Sequence, residues 1–142
     1  MADHPTKQGP LSTVRVLDLT GVLMGPVATR TLGDFGADVI FVESKIGDRN
    51  RSMGPGPDEQ FSGISLNLLR NKRGISLDLK HPRGKQALLD IAATCDVMVT
   101  NIRPGPLGRL GLDYEAIRAF RPDIVFCRAH GYPSDGEDAD AP

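Results

Sequence analysis

Three groups of residues have types and spacings that could do chemistry. The first is Thr20–Gly21–Val22–Leu23–Met24–Gly25–Pro26, a break between an apolar run and the start of a helix. Backbone N–H groups gathered at a helix start can hold an anion or a developing oxyanion. The second is a set of cations: Lys72 and Arg73 beside Asn71, then Lys80, then Arg103 and Arg109 in the stretch RPGPLGRLG. Strand ends of a parallel sheet lie close together, so Lys80, Arg103 and Arg109 can converge on one phosphate-bearing ligand. Arginine suits bidentate phosphate contacts and lysine acts as a point charge. The competing reading is a set of solvated surface cations. The third is Glu43, at the end of a strand, where a ribose-binding acid would lie in a dinucleotide site. Such a site needs G-x-G-x-x-G. Gly21 and Gly25 stand four apart with no third glycine at the right step, which disfavours NAD or FAD.

The remaining reactive types carry less. His4, His81 and His130 have no partner at ligand or triad spacing, and no nucleophile–histidine–acid arrangement follows from their order. The acids of DGEDADAP, Asp135 to Asp140, lack the spacing of a calcium loop, and no metal is expected. Cys95 and Cys127 are far apart, each beside apolar residues, and read as two buried, reduced thiols. Net charge is −1 over 142 residues, so nothing argues for nucleic acid or an anionic membrane. No apolar run approaches the ~20 residues that span a bilayer. MADHPTKQGP has no apolar core of a secretory signal, and the chain reads as cytoplasmic.

The elements that must position these residues follow from periodicity. Val14, Val16, Leu17 and Leu19 form a strand, and Pro26 fits the first turn of a helix. Val27, Thr31, Leu32 and Phe35 recur at helical spacing, and Gly36 is the stop. Val39–Val42 is the second strand. Residues 44–60 form a loop long enough to be functional or mobile, and 61–69 a short helix. Asn71–Gly74 reads as a turn, and Ile75, Leu77 and Leu79 as an alternating strand. A helix opening at Pro82, with Ala87, Leu88, Ile91 and Ala92 as its stripe, leads to a strand at Val97–Val99. Arg103–Gly111 reads as a loop with room for one turn at Leu107 and Leu110. A short helix at Tyr114–Phe120 precedes the last strand, Ile124–Cys127. Strands alternating with helices predict an α/β, Rossmann-like parallel sheet with flanking helices. Ending one loop after a strand marks an incomplete N-terminal domain of a larger fold, with uncovered sheet surface. Residues 1–10 form a flexible tail and 11–142 the partial domain.

Several stretches together resemble the family III CoA-transferases, the group of formyl-CoA transferase, carnitine CoA-transferases and α-methylacyl-CoA racemases. They are PLSTVRVLDLT, GPVATRTLGDFGADVIFVE and NKRGISLDLKHPRGKQALLDIAATCDVMVTNIRPGPLGRLGLDYEAIRAFRPDIVFCRAHGY, running from Pro10 to Tyr132 in family order. The resemblance implies a CoA-binding domain of an enzyme roughly three times as long, which forms interlocked homodimers. The full-length enzyme would transfer CoA between an acyl-CoA and a carboxylic acid. Val22, Leu23 and Met24 would lie by the thioester and pantetheine end. Leu77, Asp78, Leu79 and Lys80 would line the adenine and phosphate side. Asn101, Ile102 and Arg103 would continue that wall, and Arg109 would meet a phosphate. Members often carry a basic or proline residue where Ser44 stands here, with Lys45 next to it. The loop at Gly21–Leu23 lacks the polar residues found in some transferases. The catalytic aspartate of the family, and the His–Asp pair of the racemases, match no residue of this chain, so the isolated chain is expected to show no turnover. A racemase relative and a non-catalytic CoA-binding module are the alternatives.

Overall fold

β-Branched and leucine-rich runs give β-strands, the polar segment KRGIS adds another as an edge strand, and five strands join one sheet among the described residues. The computed structural model describes residues 8–132 and 136–138. Its strands are β1 Arg15–Leu19, β2 Asp38–Glu43, β3 Lys72–Ser76, β4 Val97–Thr100 and β5 Val125–Arg128. Its helices are α1 Met24–Asp34, α2 Gly63–Leu68, α3 Pro82–Ala92, α4 Pro104–Leu110 and α5 Tyr114–Arg118. Every pairing is parallel and the strand order is β3-β2-β1-β4-β5. The α/β parallel sheet with flanking helices is therefore as the alternation predicts. The winding reverses between β1 and β4, which sets the loops after those two strands side by side.

Alternation along each strand divides the core in two. Leu17, Leu19, Val42 and Met98 face Leu88, Leu89 and Ala92 of α3, Leu107 of α4 and Ile117 of α5. Val16, Val39 and Val99 face the other way, with Ala37. That second face is covered by α1 but is bare over β5, where Val125 is 60% exposed. Cys127 is exposed for the same reason, since β5 is an edge strand and its register partner Val99 marks the α1 side. Only Cys95 is the buried thiol expected of both, and burial pushes it up to about 11.

The buried side of α1 is Gly25, Pro26, Thr29 and Gly33, while Val27 and Phe35 of the apolar spacing are exposed. Small residues let the helix sit close to the sheet. A Cβ on Gly25 would lie 2.3 Å from the Thr20 side chain. Gly36, at φ +98°, turns the chain into β2.

Two elements differ from the periodic reading. β3 begins at Lys72 and ends at Ser76, three residues ahead of the alternation. Its partner β2 ends at Glu43, so the ladder closes with Leu77 N donating to Glu43 O at 2.9 Å, and Leu77–Lys80 leaves the sheet. The RPGPLGRLG stretch is a helix rather than a loop: Pro104 occupies the first turn and left-handed Gly111 (φ +63°) ends it. Of the expected tail, residues 1–7 lie outside the described residues, as do Asp135 and Asp140 of the acidic stretch. Leu11 N, just after the tail, bonds Phe35 O at the α1–β2 turn.

Candidate functional site

At the carboxyl edge of the sheet an open cleft of about 430 Å³ lies between the ends of β1, β2 and β3 and the start of α4. Leu19, Val42, Leu77 and Leu79 form one apolar wall, and Ile102 and Leu110 the other. Lys45, Asp78 and Lys80 stand at the rim. The turn that carries Asp78 and Lys80 is built locally. Asp78 Oδ1 accepts the Lys80 N–H at 3.1 Å, and Asp78 O accepts His81 N at 3.0 Å. His81 then caps α3, its Nδ1 accepting from Arg83 N. Gly84 lies against the Asp78 carbonyl, where a Cβ would come within 2.1 Å. The Lys80 backbone N–H, and after it the nearby Lys45 ammonium, hold the Asp78 carboxyl below the usual carboxylate range. Lys45 Nζ lies 3.6 Å from Asp78 Oδ2 across the rim.

The cleft brings together Leu77, Asp78, Leu79, Lys80 and Ile102 of the expected residues. Arg103 and Arg109 are exposed at either end of α4 and outside its lining. Among the described residues the side chains of Lys80, Arg103 and Arg109 make no hydrogen bond or ion pair. Val22, Leu23 and Met24 also lie outside the lining, at the head of α1, exposed by 45%, 50% and 60%. Glu43, Ser44, Lys45, Ile46 and Leu110 complete the lining, and Ile46 and Leu110 are not among the expected binding residues. The spacing of Leu110 three after Leu107 was the available signal for a second helical turn reaching the cleft.

Asn101 does not line the cleft. Its side chain bonds both backbone groups of Gly21 across the reversal point, Oδ1 accepting from Gly21 N at 3.1 Å and Nδ2 donating to Gly21 O at 2.9 Å. The next residue, Val22, has φ +67°. A β-branched side chain there is a conformational outlier, held at a cost of roughly 1–3 kcal/mol. Asn50, wholly buried in the 3-10 turn Arg49–Ser52, donates from Nδ2 to Val22 O. The loop 44–60 is thus pinned into the structure at Asn50.

Three charged groups singled out by the sequence are matched by partners within the fold, although Glu43 also lines the cleft. Glu43, in the position of a ribose-binding acid, accepts from Arg51 through both oxygens at 2.7 and 2.8 Å and from Asp48 N at 2.9 Å. These bonds, led by that of Arg51, hold its carboxyl below the usual range. Lys72 lies with its ammonium under the first turn of α1, 1% exposed. It donates to Asp18 Oδ2 at 2.9 Å, Thr29 Oγ1 at 2.8 Å and Pro26 O at 3.1 Å. Asp18 also accepts from the Thr20 and Thr29 hydroxyls, both at 2.6 Å. Burial pushes the Lys72 ammonium down against the pull of Asp18. Arg73 pairs with Asp38 at the opposite edge of the sheet. Neither Lys72 nor Arg73 reaches the cleft mouth.

An apolar slot rimmed by lysines, at the strand ends of a parallel sheet, fits an elongated ligand that is part apolar and part phosphate. Known proteins are similar to this chain over most of its length. Succinyl-CoA:glutarate CoA-transferase of Mus musculus is 47% identical over 128 residues, covering 89% of this chain and 29% of that protein. Succinate–glutarate CoA-transferase of Agrobacterium fabrum is 39% identical over 147 residues, covering 99% of this chain and 37% of its own length. A CAIB/BAIF family protein of Brucella suis, solved by crystallography, superposes with a TM-score of 0.88 at 34% identity over 94% of this chain and 36% of its own. The chain therefore spans about a third of the length of these relatives. The family model for CoA-transferase family III matches residues 11–142. From β1 to the segment beyond β5, this chain belongs to CoA-transferase family III.

Proposed function

We propose that this chain supplies the CoA-binding N-terminal part, residues 11–142, of an enzyme that transfers CoA between an acyl-CoA and a carboxylic acid. The observation that carries this reading is the cleft, with its apolar walls and its rim of Lys45 and Lys80. The nucleotide half of CoA lies along Leu77–Lys80 and Ile102. Its phosphates take Lys80, and the cations of α4, Arg103 and Arg109, approach from the other side. Lys45 stands in for the basic residue absent at Ser44. Val22, Leu23 and Met24 meet the thioester end. The names of the two matched transferases support a short dicarboxylic acyl group on the donor and a dicarboxylate as acceptor, and a transferase rather than a racemase. The chain supplies binding and orientation, and the attacking carboxylate comes from outside these residues, so this chain alone gives no turnover. The complete enzyme is a cytoplasmic homodimer. No helix among the described residues is long and apolar enough to cross a membrane.

Calorimetry with CoA tests the site. Loss of one charge-assisted phosphate contact weakens binding by about 1.5–3 kcal/mol, or roughly ten- to a hundredfold. Lys80→Ala and Arg109→Ala should each show that loss while remaining folded. A folded wild-type chain that binds no CoA, or variants that bind like wild type, would overturn the assignment.

A further inference from the structure

We infer that Asn50 and Asn101 are positioning residues that hold the loop after β1 in one conformation, and that acyl-CoA recognition at Val22–Met24 depends on them. The inference rests on the CoA reading above. Three side chains converge on the backbone of three residues, Gly21, Val22 and Gly25. Thr20 packs so closely on Gly25 that no Cβ fits there. Asn101, from the loop after β4, satisfies both the N–H and the carbonyl of Gly21. Asn50, from the loop after β2, holds the carbonyl of Val22. The loop after β1 is therefore fixed from both neighbouring strands' loops at once.

What this achieves is visible in Val22. Glycine is the residue that takes φ +67° freely, and valine takes it only when its surroundings over-determine the backbone. The arrangement also inverts the usual rule of burial. Asn50 is 0% exposed and its Oδ1 has no hydrogen-bond partner among the described residues, while Val22, Leu23 and Met24 stand outside. A buried, half-satisfied amide and three adjacent exposed apolar side chains are each unfavourable in a free chain. Both are consistent with a loop held ready for an apolar portion of a ligand. Asn101 then acts on that ligand through Gly21 rather than by touching it.

The test measures binding of succinyl-CoA, and separately of its nucleotide half, 3′-phospho-ADP, to the full 142-residue chain by calorimetry. Asn50→Ala and Asn101→Ala should each weaken succinyl-CoA about fivefold to tenfold and leave 3′-phospho-ADP unchanged. In urea unfolding, adding Val22→Gly to Asn50→Ala should recover part of the stability that Asn50→Ala loses, because glycine needs no help at that φ. Hydrogen exchange should show the Gly21 amide losing protection in Asn101→Ala. If an alanine variant fails to fold, Asn101→Asp keeps the acceptor, sets a charged oxygen against the Gly21 carbonyl in place of the donor, and carries the same comparison. Equal weakening of both ligands, or of neither, overturns the inference while the CoA reading stands. Wild type that binds neither ligand overturns the CoA reading and this inference with it.

Discussion

The two edges of the sheet use the same residue types in opposite ways. At the amino edge, Arg73 and Arg15 both bond the Asp38 carboxylate, and Arg121 bonds Asp96, which also accepts from Arg15 N. Cation and anion alternate across β3, β2, β1 and β4, each member lying within one residue of its strand's start. At the carboxyl edge, Lys80, Arg103 and Arg109 have no partner among the described residues, and apolar side chains stand exposed from Val22 to Met24 and at Ile46. A net charge of −1 conceals this division. Cations that neutralise acids within the fold are structural, and cations left beside an apolar slot are available to a ligand. Between the edges lies the buried Lys72–Asp18 pair, on which the first turn of α1 rests.

The largest effect that would break this comparison lies at that buried pair. Lys72→Met leaves the Asp18 carboxylate buried and unmatched, and should cost about 3–5 kcal/mol in urea unfolding. Adding Asp18→Asn should recover part of the loss, because the desolvated charge is then gone. A cost near zero for the single variant would show that the pair is not desolvated in solution.

The next effect sharpens the contrast at the carboxyl edge. Glu43 belongs there by position, yet it is tied to Arg51 and to the Asp48 N–H like a residue of the amino edge. Glu43→Gln should destabilise the chain by about 1.5–3 kcal/mol near neutral pH. Its native pKa is lowered, so the contribution is complete above the unfolded value of about 4.3 and is lost as pH falls through the native one. Wild type and variant should therefore converge in stability under acid. A gap that persists there would assign the effect to packing.

The smallest effect separates the two edges directly. Arg73→Ala removes an ion pair whose arginine is half exposed, and should cost only about 0.2–1 kcal/mol. It should leave CoA affinity unchanged, whereas Lys80→Ala weakens it. Equal effects of the two variants on affinity would erase the distinction between the edges.

Much of this was legible in the residues. Alternation of strand and helix patterns carried the parallel sheet, Pro82 and Gly36 marked a helix start and a stop, and Leu77–Lys80 with Ile102 does line one cleft. Other features were not. The alternation of Ile75, Leu77 and Leu79 suggested a strand that stops at Ser76, because strand length is set by the neighbour β2. Lys72 and Arg73 read only as cations near one strand, and their partners Asp18 and Asp38 lie 54 and 35 residues away. Asn101 looked like part of a binding wall, but its partner Gly21 is 80 residues distant. The sequence alone determined the fold class, the family motifs and several helix starts and stops, since propensity, period and glycine or proline placement act over a few neighbouring residues. Which cations are matched, which loop is clamped and which apolar residues stay exposed were decided only by the tertiary structure. Those outcomes depend on which side chains meet across the sheet, and such meetings leave no local pattern in the chain.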